Sequence, residues 1–127
     1  MEMHIVSMNN NPANKDLLLA AVTGIIFEGN ATERSFADDF FIKFFNKEDL
    51  NMARDFTDHL NTKQRYHYIG SLTTPPFSEP LFWTVLPQVY SILPSTLELF
   101  RNRVDLGCIQ DPRVGATNRH TFSLGHR

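Results

Sequence analysis

The hydrophobic and polar positions along the chain sort into stretches of different period. Glu2-Met3-His4-Ile5-Val6-Ser7-Met8 predicts a strand that ends at the polar turn Asn9-Asn10-Asn11-Pro12. The apolar run from Leu17 to Phe27, rich in small and branched residues around Gly24, predicts a buried strand with a flanking extension. Ser35 and Asp38 then form a variant capping box, followed by Phe36, Phe40 and Phe44 at helical spacing, with Phe41 and Phe45 widening the stripe. This predicts an amphipathic helix over 35–47 that lays its phenylalanines on a sheet as core, with no ligand role. Residues 47–64 carry isolated apolar positions such as Leu50, Phe56 and Leu60 and predict an irregular connection.

Further on, Tyr66 to Leu72 and Leu81 to Leu86 predict two strands. They are joined by a rigid loop containing Thr73-Thr74-Pro75-Pro76, because proline lacks the N–H that a ladder needs. Pro94 with Ser95-Thr96-Leu97-Glu98 predicts a capping box opening a short helix through Phe100 to about Arg103, and Cys108 to Arg127 predicts a loop-like tail. The fold class is therefore mainly β, of α+β type, with a twisted mixed sheet and a few short peripheral helices.

Composition narrows the function classes. At 127 residues the chain is the size of one domain with one core. A hydrophobic fraction of 42% and a charged fraction of 20% indicate neither a disordered chain nor a membrane span. With a net charge of −2 and scattered basic residues, no basic stripe offers itself to a phosphate backbone, so nucleic acid is not an expected partner. Cys108 is the one cysteine, which excludes an intrachain disulfide and a cysteine metal cluster and favours a reducing compartment. The Asn30-Ala31-Thr32 sequon points the other way, toward secretion, and no charged-then-apolar leader opens the chain, so localisation stays open.

One constellation is specific. Tyr68-Ile69-Gly70-Ser71-Leu72-Thr73-Thr74-Pro75-Pro76, followed by Glu79 and Trp83, resembles the signature loop of the α-carbonic anhydrases. Glu2-Met3-His4-Ile5-Val6 resembles that family's strand bearing the third zinc histidine, Ala21-Val22-Thr23-Gly24 the pocket strand that follows, and Asn118-Arg119 through Leu124 to Arg127 the closing segment. The matches fall in the family's order across nearly the whole chain and cover about the second half of the family domain. Residues 1–127 are thus read as a partial α-carbonic anhydrase-like domain whose N-terminal half is absent.

The resemblance implies a reaction and a set of site residues. The family hydrates carbon dioxide reversibly to bicarbonate with a zinc-bound hydroxide. Three neutral imidazoles leave the fourth tetrahedral position to water, whose pKa the metal lowers to about 7. By resemblance His4 is a metal ligand, Glu2 orients its imidazole through the second ring nitrogen, and Thr73 accepts a hydrogen bond from the zinc-bound hydroxide. Thr74, Val6, Val22, Leu72, Leu81 and Trp83 match the substrate pocket and its apolar wall. Read from composition alone, the apolar members are equally core residues and the threonines equally the end of a strand.

Departures qualify this reading. No His-x-His occurs in the chain; the histidines besides His4 are His59, His67, His120 and His126, none in the context of the missing pair. That pair, the proton-shuttling histidine and the acidic partner of the loop threonine would all lie before Met1. Ser7 and Met8 replace the usual His-Trp, the connection before Tyr66 is shortened, Phe77 stands where many secreted members place a cysteine, and His120, Phe122 and Ser123 alter the closing segment. Zinc is the cofactor that the resemblance implies, and one ligand of three is not expected to hold it. The chain alone is thus expected to be inactive, with carbon dioxide or bicarbonate bound only where the site is complete. Alternatives are an interaction or assembly subunit, whose protein partner covers the open sheet edge, and a composite site whose missing histidines come from a second polypeptide.

Overall fold

The computed structural model describes residues 1–11, 13, 17–74 and 76–103. Pro12, Pro75, the closing segment with Arg119, His120, Phe122 and Ser123, and the expected tail with Cys108 and His126 lie outside the described residues. A four-stranded sheet is formed by β1 (Glu2–Met8), β2 (Ala20–Glu28), β3 (Tyr66–Gly70) and β4 (Leu81–Ser91) in the spatial order β1-β2-β4-β3. The β1–β2 and β3–β4 pairs are antiparallel and the central β2–β4 pair is parallel, so the sheet is mixed, as expected. Helices α1 (Phe36–Asn46), α2 (Met52–Asp55) and α3 (Pro94–Arg103) accompany it. Among the described residues no helix is long and apolar enough to cross a membrane.

Side chains alternate between the two faces of a strand, and the register turns that alternation into two separate cores. One face carries Ile25, Phe27, Leu86, Tyr90 and Ile92, which bury against Ala37, Phe40 and Phe41 of α1 and against Phe56. The other carries Ala20, Val22, Leu81 and Trp83, with Leu19 and Leu72 packed alongside. The phenylalanine stripe behaves as core at Phe40 and Phe41, whereas Phe44 is exposed.

Several boundaries differ from the sequence expectation, each for a physical reason. The second strand starts at Ala20, and Leu17 is exposed in the turn before it. Pro87, where a strand was expected to have ended, lies inside β4, which continues to Ser91. Gly24 pairs with Val85 and Ile26 with Val89, so β4 spends two extra residues in a bulge there, and the missing proline donor interrupts no ladder. The third strand ends at Gly70, short of Leu72, whose N–H donates into the loop to the Ser78 carbonyl at 2.9 Å. The connection over 47–64 contains α2, capped by the Asn51 side chain accepting from Arg54 N–H, and a 3-10 turn at Thr57–His59. Pro94, not Ser95, opens α3, in keeping with proline's preference for the first helical position.

Asp38 ties α1 to α3. Its Oδ2 accepts from the Ser35 N–H and the Ser35 hydroxyl, both at 2.8 Å, completing the capping box that the sequence predicts. Its Oδ1 accepts from Leu93 N–H at 2.9 Å and from the Thr96 hydroxyl at 2.5 Å, so the same carboxylate also holds the start of α3. Asp38 is fully buried. Burial pushes its pKa up, but the hydrogen bonds from Thr96, the Ser35 and Leu93 backbones and the Ser35 hydroxyl outweigh this and hold the carboxyl below its ordinary value.

Asp38→Ala leaves Leu93 N–H and the Thr96 hydroxyl without their acceptor and should cost about 3 kcal/mol in urea unfolding. A depressed folded pKa stabilises the protein above the ordinary carboxyl value of about 4, and that contribution fades as pH falls through the lower folded value. Unfolding free energy measured from pH 6 down to pH 2 should show this acid-side loss in the parent chain and a flatter limb in Asp38→Asn.

Candidate metal-ligand strand and signature loop

The candidate chemistry gathers on the sheet face opposite α1. Met1 and Phe27 exchange backbone hydrogen bonds, Met1 N to Phe27 O at 2.9 Å and Phe27 N to Met1 O at 2.8 Å. By the antiparallel alternation, Met3, Ile5 and Ser7 then turn their backbone groups toward β2, while those of Glu2, His4, Val6 and Met8 turn outward. In the described residues nothing pairs with that outer edge of β1. Glu2, His4 and Val6 share a face with their register partners Ile26, Gly24 and Val22, which continue into Val85 and Trp83 of β4 and Tyr66 and Tyr68 of β3.

His4 and Glu2 lie two apart on this face, and His4 Nε2 meets Glu2 Oε1 at 2.8 Å. In the tautomer protonated at Nε2, the imidazole donates to the carboxylate, which fixes the ring and leaves Nδ1 with a lone pair. Nδ1 has no hydrogen-bond partner among the described residues. The pair is partly open, with side-chain exposures of 28% for His4 and 52% for Glu2. Beside it the His4 ring meets the indole of Trp83 edge-on, with centroids 4.8 Å apart and planes at 83°. Tyr68 lies parallel to Trp83 at 5.8 Å, and its phenol is pushed up in pKa first by burial and then by the negative charge of Glu2.

The apolar wall is assembled in part. Val22, Leu81 and Trp83 are buried together and Leu72 packs against them. Val6 stands opposite Val22 in register but is 48% exposed. Thr73 is half-buried and Thr74 exposed in the bend after β3. The bend is closed by Phe77 N–H donating to the Thr74 carbonyl at 2.9 Å, and anchored by Trp83 Nε1 donating to the Ser71 carbonyl at 3.1 Å. The Thr73 hydroxyl meets no partner among the described residues, so it is joined to His4 only through the wall and not by a hydrogen bond.

Among the described residues the donor set does not fit a zinc ion by itself. His59 bonds the Arg54 carbonyl at 3.1 Å through Nε2 and stacks on Phe36, on the helix side of the sheet. His67 bonds Thr84 Oγ1 at 3.0 Å through Nδ1 and stacks on Phe82, again on the face away from His4. No three His, Cys, Asp or Glu side chains come together as a metal-holding group among the described residues. A cavity of about 710 Å³ lies elsewhere, between β1 and the helices, lined by Met1, Met3, Phe40, Phe44, Leu97 and Phe100 among others, with Glu2 and Arg101 at its charged positions. Sequence reasoning singled out no role for Gly24, although a glycine inside an apolar strand pattern marks a close approach, here of Glu2 and His4.

Comparison with known proteins places this geometry. The family of eukaryotic-type carbonic anhydrases matches residues 1–127. Alpha carbonic anhydrase 4 of Arabidopsis thaliana is 40% identical over 63 residues, 49% of this chain and 24% of that protein. Dioscorin dioA3 of Dioscorea japonica is 27% identical over 99 residues, 73% of this chain and 36% of that protein. Among solved structures, the α-carbonic anhydrase of Photobacterium profundum superimposes with a TM-score of 0.64 at 22% identity, covering 82% of this chain and 47% of that one. A halotolerant carbonic anhydrase from Dunaliella salina gives 0.63 at 23% identity, covering 87% and 44%. The chain thus spans less than half the length of these relatives. With the family match running from end to end of the chain and the fold shared with these structures, the chain belongs to the α-carbonic anhydrase family.

Proposed function

We propose that this chain carries one flank of an α-carbonic anhydrase-like zinc site, whose family reaction interconverts carbon dioxide and bicarbonate, and that on its own it is catalytically silent. The observation behind this reading is the Glu2–His4 pair: Nε2 meets the carboxylate, which in the tautomer protonated there leaves a lone pair on Nδ1, and among the described residues no second imidazole shares that face. Acidifying a water to a pKa of about 7 takes a zinc ion held by three protein ligands with one position open. One imidazole cannot keep the ion in place at that geometry. What the chain's own residues supply is an oriented ligand, a buried apolar wall of Val22, Leu72, Leu81 and Trp83, and a threonine-bearing bend. Imidazoles completing such a site would approach along the edge of β1 that is unpaired among the described residues.

A second reading, as an interaction or assembly subunit, is favoured by the apolar cavity beside that same edge. Exposed strand edges with adjacent apolar surface invite a covering partner. The similarity extending to dioscorin as well as to proteins named carbonic anhydrases accords with a family that keeps this fold under more than one name.

The purified chain should show no carbon dioxide hydration and no ester hydrolysis above buffer in stopped-flow and colorimetric assays; turnover at rates ordinary for an enzyme would overturn the first reading. Size-exclusion chromatography with light scattering separates the second: an assembled species supports it, and a stable monomer at all concentrations argues against it.

A further inference from the structure

Trp83 and His4 touch although they lie two strands apart. In register Trp83 stands beside Val22, while His4 stands beside Gly24. Neighbouring strands are about 4.8 Å apart, so a contact across β2 spans roughly 10 Å and must pass over whatever side chain β2 presents. At the position opposite His4 there is none. A Cβ on Gly24 would sit 3.2 Å from Glu2 Oε1, tighter than an ordinary contact, and 3.7 Å from Val85 Cγ2 and 3.9 Å from His4 Cδ2, so glycine leaves the Glu2 carboxylate its place beside the imidazole, and a larger, branched side chain would reach into the space between the imidazole and β4. A second glycine serves the same indole from β3: a Cβ on Gly70 would meet Tyr68 Cε2 at 2.9 Å and Trp83 Cδ1 at 3.3 Å, in the space that the Tyr68–Trp83 stack needs. Trp83 itself is 3% exposed, and its one polar atom donates to the Ser71 carbonyl, two residues before Thr73.

We propose that Trp83 is a positioning residue: packed beside the side-chain-free Gly70 and reaching across β2 to His4, it holds the His4 ring and the Ser71–Thr74 bend in one fixed relation. An apolar wall could be built from any large hydrophobic side chain. Only an indole combines a flat face for Tyr68, an edge contact with His4 and an N–H that reaches Ser71. The linkage runs from Glu2 to His4, to Trp83, and then to the carbonyl that anchors the loop. Glu2 and Trp83 thus orient the imidazole from two directions, one by a hydrogen bond and the other by a ring contact. This rests on reading His4 and the loop as parts of one site, but its test needs no metal and no activity, so its failure is distinguishable from failure of that reading.

The test is NMR on the full metal-free chain. In Trp83→Phe, which keeps a ring and removes the N–H, the Leu72 and Phe77 amides that close the bend should exchange about tenfold faster relative to the Phe27 amide, the factor that matches the loss of one hydrogen bond. Through-space contacts between the His4 ring and the ring at position 83 should weaken in the same variant. A purely structural Trp83 would instead raise exchange uniformly, or leave the bend unchanged, and either result overturns the proposal. Should Trp83→Phe not fold, Gly24→Val decides: its added methyl groups reach into the space between the imidazole and β4 with Trp83 intact. The His4–Trp83 contacts should then vanish while the Phe27 and Ile92 amides stay protected, and their persistence would overturn the proposal.

Discussion

Everything in this sheet depends on how side chains alternate across the parallel pairing of β2 with β4. Val22 and Gly24 point one way and Ile25 and Phe27 the other; Leu81 and Trp83 match the first set, Leu86 and Tyr90 the second. One face is thereby committed to the phenylalanines of α1 and to Phe56. Among the described residues the other carries no helix and holds Glu2, His4 and Trp83. A one-residue slip in this register would exchange the faces and turn Val22 and Gly24 toward α1 in place of Ile25 and Phe27. The bulge between Gly24 and Ile26 lets β4 carry Pro87 while returning Tyr90 to the helix side, where its hydroxyl accepts from Asn61 N–H at 2.7 Å.

The two faces treat polar groups differently. On the helix side Asp38 is sealed from solvent with its oxygens shared between two helix starts, an arrangement that serves stability. On the other side Glu2 and His4 stay partly open, and among the described residues Nδ1 of the imidazole has no hydrogen-bond partner. Buried carboxylates with every lone pair occupied are scaffold. The His4 imidazole is partly exposed and oriented by Glu2, and its backbone lies on the strand edge that β2 does not cover.

Much of this was legible in the sequence, and the exceptions share one cause. The strand at Glu2–Met8, the Ser35–Asp38 capping box and the helix carrying the phenylalanine stripe are local patterns, with every determinant within a few residues, and the structure bears them out except at Phe44, which is exposed and not core. The signature around Thr73 identified the family because many residues in register leave little room for coincidence. What stayed hidden depends on distant partners. Asp38 caps a helix more than fifty residues away, so Ser95–Glu98 looked like the cap of α3 when the acceptor came from elsewhere. Pro87 reads as a strand breaker until the two-residue bulge is known. Gly24 looks like a weakness in a strand until His4, Glu2 and Trp83 are seen to meet around it.

Coordination number decides whether this polypeptide holds zinc: its described residues offer one oriented imidazole on the candidate face, and a tetrahedral ion requires more than one. Titrating the chain with cobalt(II) in place of zinc and recording its visible spectrum tests this directly, because the intensity of the d–d bands reports whether the ion is held tetrahedrally by protein nitrogen. Weak bands like those of the hydrated ion, with no saturation at one equivalent, are the predicted result. Intense bands that saturate at one cobalt per chain would contradict it.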